Sequence, residues 1–307
     1  MKTLREACET GEFILSVEAP PPKGGDAELF SARARLLLGK VHAVNVTDNQ
    51  AAVMRASSLA VSKLLLDMGH DSVYQIAGRD RNRLGIQSDL LGAHLLGIRN
   101  VLSLTGDYVT VGDQKESKPV FDLESVQILK VITGLNAGVD MVGRPIKGAT
   151  NLFAGSTVTP DTRPFAPLAI KFEKKVAAGA RFFQTQAVFD VERFADFMTF
   201  ARRFDVKIIA GILLLRSAKM ARFVTTNLPG ISVPAALIAR LEKAGAAGGA
   251  VGEVEAGLEM TVETIAAVRP LCDGVHLMAI GAEERIPEIL LRAGLTPAGH
   301  SPEHRHG

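Results

Sequence analysis

The chain alternates. Eight short runs of consecutive apolar and β-branched residues are each followed by a longer segment whose apolar residues recur at helical spacing. The strand candidates are Phe13–Val17, Ala43–Val46, Ser72–Ile76, Asn100–Leu104, Asn151–Phe153, Arg181–Thr185, Lys207–Leu213 and Gly274–Met278. Among the helical segments, Val191 to Phe204 carries Phe194, Phe197, Met198, Ala201 and Phe204 at the i, i+3, i+4 spacing of one buried face, with Asp190 placed to cap it. Ala51 to Met68 and Asn82 to Leu96 read the same way, and Gly69, Gly97 and Gly179 stand where helix C-terminal caps belong. Strand–helix repetition predicts a parallel sheet, because parallel neighbours need a crossover between them. Runs such as Ile208-Ile209-Ala210-Gly211-Ile212 are apolar at consecutive positions, which suits strands covered on both faces.

A parallel sheet can stay open and doubly wound, or close into a barrel. The open dinucleotide-binding sheet carries GxGxxG after its first strand. Here the first strand runs into Glu18-Ala19-Pro20-Pro21-Pro22, and neither that fingerprint nor GxxxxGK[ST] occurs in the chain. The expectation is an α/β fold, a single-domain (β/α)8 TIM barrel over residues 1–298, with a polar tail at 299–307 expected to be disordered. The 307 residues are compatible with one domain, since such barrels run past about 250 residues. Gly106 to Asp122 reads as an extended loop, and Gly230 to Gly252 as an added helix with Leu237, Leu241 and Ala244 on its apolar face.

Composition narrows the partners. Lys plus Arg number 35 against 33 Asp plus Glu, and aromatics are 5% with no Trp. A nucleic-acid partner is therefore not expected. Cys8 and Cys272 lack CxxC spacing and read as reduced thiols. Met1 to Phe13 lacks the apolar run of a signal peptide, and no run of 18 apolar residues occurs. A cytoplasmic protein without a membrane partner is expected. The histidines at 300, 304 and 306 have no fold around them, and no metal is expected.

Chemistry in such a barrel collects at the C-terminal ends of the strands. Polar residues cluster there: Glu18, Thr47, Asp48, Gln75, Arg79, Asp80, Thr105, Asp107, Ser156, Thr157, Gln184 and Gln186. Singly, each reads equally as a helix cap or a solvated loop residue; as a set they read as a site. Glu18 precedes three prolines, which fix the backbone and donate no hydrogen bond. A carboxyl held at a dry mouth is suited to be a general acid, the alternative being a salt-bridged structural Glu. Lys171, Lys174 and Lys175 lie on one helical segment, with Lys171 and Lys175 on one face. They read either as a solvated face or as a clamp on a phosphate group.

Five segments in order resemble the methylenetetrahydrofolate reductase family. They are Ser-Val-Glu-Ala-Pro-Pro-Pro at 16–22, Val-Thr at 46–47, Leu-Thr-Gly-Asp at 104–107, Gln-Thr-Gln-Ala-Val-Phe-Asp at 184–190 and Ala-Gly-Ile-Leu at 210–213. The resemblance covers the catalytic barrel and implies FAD as cofactor and a folate substrate. It implies Glu18 as the catalytic acid, Asp107 between flavin and folate, and Gln186 as a folate contact. Thr47, Gln75, Thr105 and Gly106 would contact the flavin. Ala154, Gly155 and Thr159 would surround the adenosine part, and Lys171, Lys174 and Lys175 its phosphates. Protonation of the anilinic nitrogen by Glu18 would open the bridging ring to an iminium cation, which Asp107 would stabilise and reduced FAD would reduce.

The chain departs from the family pattern at Thr105, usually an Arg, at Met220 (or Lys219), where a second folate-contacting glutamine is usual, at the thinned Ala19 and Ala187, and at Thr159 in place of His. These departures bear on how NADH or NADPH would stack. They resemble a shorter branch in which a partner subunit can be the electron donor, so a homo-oligomer and a hetero-complex both stay open. The alternatives are a flavin-carrying subunit of a larger one-carbon electron-transfer complex and a folate-binding barrel methyltransferase without flavin.

Overall fold

Strand β1 (Ile14–Ala19) hydrogen-bonds in parallel to both β2 (Ala43–Val46) and β8 (Gly274–Met278), which closes the sheet on itself. Between them, in chain order, stand β3 (Ser72–Ala77), β4 (Asn100–Leu104), β5 (Phe153–Val158), β6 (Phe182–Ala187) and β7 (Lys207–Leu213). The computed structural model describes residues 1–227 and 231–295. The architecture is the expected single-domain (β/α)8 barrel.

Strand alternation builds two cores from one sheet. Ile14, Ala43, Val73, Leu102, Phe153, Phe182 and Ile209 converge inside the barrel, where they meet Leu4, Ala7 and Cys8 of α1 (Leu4–Thr10). This helix plugs the N-terminal end and was not expected from sequence. Its capping box of Thr3 and Glu6 and the bond from Leu4 N to Asp71 Oδ2 (2.8 Å) fix it there. The alternate strand residues, among them Val17, Val44, Tyr74, Val101 and Phe183, face the surrounding helices.

Those helices are α2 (Glu28–Arg35), α3 (Ser58–Asp67), α4 (Arg83–Leu95), α5 (Ser125–Asn136), α6 (Phe165–Ala177), α7 (Val191–Ala201), α8 (Ala218–Asn227), α9 (Ala235–Val268) and α10 (Ile286–Arg292). On α7 Phe194, Phe197, Met198 and Ala201 of the expected face are buried, while Phe204 lies beyond the helix end and is half-buried, and Asp190 Oδ1 accepts from Arg193 N at 3.0 Å. Gly69, Gly97 and Gly179 adopt the left-handed conformation at φ 89°, 90° and 105°.

Three elements differ from the sequence reading. The fifth strand runs 153–158 rather than 151–153, because Ser156 is buried with its Oγ donating to Ser103 O (3.0 Å), which hides a polar residue inside a strand. The third helix begins at Ser58 rather than Ala51, because Asn49, Ala51 and Ala52 take positive φ. The added helix is a hairpin. Element α9 reverses at Gly249 (φ 60°, ψ −150°), and Arg240 on its first arm pairs with Glu259 and Glu263 on its second at 2.9 and 2.6 Å. With α8 it covers the end of β7 through Leu215, Ala221, Val224, Leu241 and Met260. Gly230, where that helix was expected to begin, lies outside the described residues, as does the tail at 299–307 with its three histidines. Among the described residues no helix is long and apolar enough to cross a membrane.

Candidate functional site

Above the apolar floor of the barrel the inward residues turn polar. Asn45 and Gln184 face each other across the interior with reciprocal amide bonds of 2.6 and 3.1 Å. Ser16 Oγ is 3.0 Å from His276 Nδ1, and His276 Nε2 is 3.9 Å from Glu18 Oε2. One residue pair further up, the strand ends open into a cavity of about 1060 Å³. That stands at the upper end of the roughly 300–1,000 Å³ of ordinary small-molecule pockets.

Of the residues to which the family resemblance gives a role, Glu18, Gln75, Thr105, Gly106, Asp107, Thr159, Lys171, Lys175 and Gln186 line this cavity. Glu18 is 7% exposed and accepts from Gln50 Nε2 at 3.2 Å. Asp107, on the exposed β4 loop, accepts from Ala51 N at 3.1 Å. Gln186 lies within a register shift between β6 and β7, where Thr185 Oγ1 accepts from Gly211 N (2.9 Å) and donates to Gln186 O (2.7 Å). A bulge at a strand end re-aims the side chains beside it.

Four residues are placed elsewhere. Ala154 belongs to the core between sheet and helices. Lys174 is exposed and outside the cavity lining. At Gly155 a Cβ would run into the ring of Phe182, so packing inside the barrel accounts for this glycine. Thr47 is fully buried below the rim, and its Oγ1 has no hydrogen-bond partner among the described residues. Met220, the departure noted on α8, packs against the α8–α9 cluster.

The two lysines differ sharply. Lys171 is half exposed beside Glu124 (3.5 Å). Lys175 is 6% exposed and donates to Thr157 O at 2.7 Å. Burial, helped by the charge of Lys171, pulls its ammonium down from 10.5 to about 7.

The rim is held by arginines. Arg79, 2% exposed, pairs with Asp80 through Nε (2.7 Å) and Nη2 (2.6 Å), and donates to the carbonyls of Asn49 (3.1 Å) and Asp107 (3.3 Å). Burial alone would raise the Asp80 carboxyl, but Arg79 outweighs it and holds it below its usual range. Gly106 at φ 94° passes against Arg79, whose Cβ would be 2.8 Å from an added Cβ. Asp48 accepts from Ala77 N (2.8 Å), Ser58 Oγ (3.2 Å) and Arg81 Nη1 (2.6 Å), so it clamps the start of α3 to the end of β3.

Sequence reasoning missed Gln50 and His276. A period-two signal was available for the second: Ser16 stands two before Glu18, and His276 two before Met278, so each faces the interior. Nothing local marked Gln50, which reaches Glu18 only through the conformation of its turn.

The comparisons with known proteins follow this geometry. The family described as Methylenetetrahydrofolate reductase matches residues 3–294. A protein from Clostridium thermocellum that binds two copies of 5-methyl-5,6,7,8-tetrahydrofolic acid superposes with TM-score 0.63 at 15% identity, over 94% of this chain and 97% of that one. An oxaloacetate acetylhydrolase superposes with TM-score 0.52 at 10% identity, over 98% and 90%. At these identities the superpositions show a shared barrel.

Proposed function

The chain belongs to the methylenetetrahydrofolate reductase family, and on that premise we propose that it interconverts 5,10-methylenetetrahydrofolate and 5-methyltetrahydrofolate with FAD. The observation that supports this most directly is that Glu18 and Asp107 line one cavity at the C-terminal mouth. The C. thermocellum neighbour's ligand is of the same chemical class.

The residues fit FAD. Gln75, Thr105 and Gly106 line the β3–β4 side of the cavity, and Lys171 and Lys175 stand at the β5–α6 side, where anionic phosphates would be met. FAD, when bound, supplies the hydride. Thr47, Ala154, Gly155 and Lys174 are not part of this proposal, since none of them lines the cavity.

The chain's own groups handle the proton and the charge. Glu18 protonates the anilinic nitrogen of the bridged folate, which opens the five-membered ring and leaves an iminium cation. A buried acid delivers its proton without competition from bulk water. The Asp107 carboxylate lowers the energy of that cation. Gln186 holds the pterin through an amide that can both donate and accept hydrogen bonds.

The test is an absorbance spectrum of the purified protein, followed by anaerobic mixing with methyltetrahydrofolate, NADH and NADPH in turn. A flavin spectrum bleached by methyltetrahydrofolate is expected. Bleaching by a nucleotide identifies the donor, and its absence with both assigns that role to a partner subunit. Glu18→Gln should abolish bleaching by the folate and leave chemical reduction of the flavin intact. No flavin after adding FAD, with folate still bound, overturns the proposal in favour of a folate-binding barrel without redox chemistry.

A further inference from the structure

The turn after β2 is built at a conformational cost that its own residues do not explain. Asn49 (φ 44°, ψ 51°), Ala51 (φ 53°, ψ 29°) and Ala52 (φ 56°) all occupy the left-handed region, and none is glycine. Alanine gains nothing there, because its Cβ crowds the backbone. Such conformations persist only where the surroundings over-determine them, and they concentrate at functional sites. The surroundings here do so. Arg79 Nη2 donates to Asn49 O (3.1 Å), Arg55 N donates to Asn49 Oδ1 (3.0 Å), and Ala51 N donates to Asp107 Oδ2 (3.1 Å). Gly112 lies so close to Ala52 that a Cβ there would collide with the Ala52 carbonyl.

What the strained turn delivers is the side chain of Gln50. Its Nε2 donates to Glu18 Oε1 at 3.2 Å, while the other Glu18 oxygen faces His276 Nε2 at 3.9 Å. The adjacent residue Ala51 holds Asp107. One short segment therefore touches both carboxylates assigned to the chemistry. An amide is suited to the first of these contacts. It donates N–H to an ionised carboxylate and, turned over, accepts the O–H of a protonated one. It can hold the same carboxyl in one place before and after proton transfer, which neither a lysine nor a second carboxylate can do.

We propose that Gln50 is a positioning residue for Glu18, held in place by the left-handed turn at Asn49–Ala52, so that the carboxyl keeps one orientation throughout the proton cycle. This rests on the reading of Glu18 as the proton donor. The perturbations are Gln50→Met, which keeps length and removes the hydrogen bond, and Gln50→Asn, which keeps the amide and pulls it one methylene short.

Two readouts separate the inference from the functional reading. The first is the infrared carboxyl band of Glu18, identified as the band lost in Glu18→Gln. It should move in both Gln50 variants, because a hydrogen bond to a carboxyl oxygen sets its stretching frequency. The second is single-turnover reduction of the bound flavin by methyltetrahydrofolate. It should slow by about tenfold to a hundredfold in both variants, with folate affinity within about twofold, since small misplacements of a reacting group cost rates of that order. An unmoved band in a folded variant overturns the inference. A moved band with an unchanged rate overturns it too, because the tether would then not serve the proton transfer. A wild-type protein that binds flavin and folate but shows no turnover refutes the functional reading instead, and the infrared result still decides whether Gln50 holds Glu18. Should Gln50→Met fail to fold, Gln50→Asn carries both measurements.

Discussion

Replacing Lys175 with Met should make the protein more stable at pH 6 and erase a pH dependence that the wild type shows. Lys175 is buried on α6, and its ammonium is pulled down from 10.5 to about 7 by desolvation. The folded value lies below the unfolded one. Below pH 7 both states carry the proton, and the folded state bears the full penalty of a buried charge. Between pH 7 and 10.5 the unfolded chain binds the proton and the folded chain does not, so stability rises with pH. Each pH unit in that window is worth about 1.4 kcal/mol. Between pH 6 and pH 9 the wild type should therefore gain roughly 2–3 kcal/mol from this one group. The variant loses the bond to the Thr157 carbonyl, an offset of about 1 kcal/mol at every pH. Other titrating groups are common to both proteins and cancel in the difference. The assay is urea denaturation of both proteins, without ligands, at pH 6, 7.5 and 9. The stability difference should favour the variant at pH 6 and shrink steadily towards pH 9. A difference that stays constant across the three pH values refutes the reasoning, since it would mean that Lys175 keeps its proton in the folded state.

Three further outcomes follow from particular contacts. Asp107→Asn should slow flavin reduction by methyltetrahydrofolate by on the order of tenfold or more in stopped-flow mixing, with FAD still bound, because a neutral amide stabilises the cation less; an unchanged rate removes Asp107 from that role. Gly155→Ala should lower stability to urea by roughly 1–3 kcal/mol, because the added methyl meets the packed ring of Phe182 inside the barrel; an unchanged midpoint would show that the interior yields there. Cys8 should resist alkylation by iodoacetamide at pH 8 and react once urea unfolds the chain, since burial pushes its thiol up to about 12; rapid labelling of the native protein, read by mass spectrometry, would contradict that packing.

The sequence by itself determined the fold class. Consecutive apolar residues in β7 suit a strand covered on both faces, and the apolar face of α7 needs a core beneath it, so the strand–helix order was legible from local pattern. It also placed Glu18, Gln75, Asp107 and Gln186 at one rim, because a parallel barrel sends all strand ends the same way. Tertiary structure decided the rest. Lys171 and Lys175 look alike in sequence, yet the helix turns one to solvent and the other beneath Thr157, and only that burial changes its charge. Ala154 lies on a cavity-bordering strand but faces the helices, because side chains alternate along β5. The α9 hairpin turns at Gly249, one of four glycines between 245 and 252, and local pattern does not say which of them takes the positive φ. The contact between Gln50 and Glu18 joins residues 32 positions apart through a turn in which Ala51 and Ala52 take a conformation that alanine does not favour. Local pattern records what a segment prefers. A strained turn is held by its neighbours, so it can be seen only once those neighbours are in place.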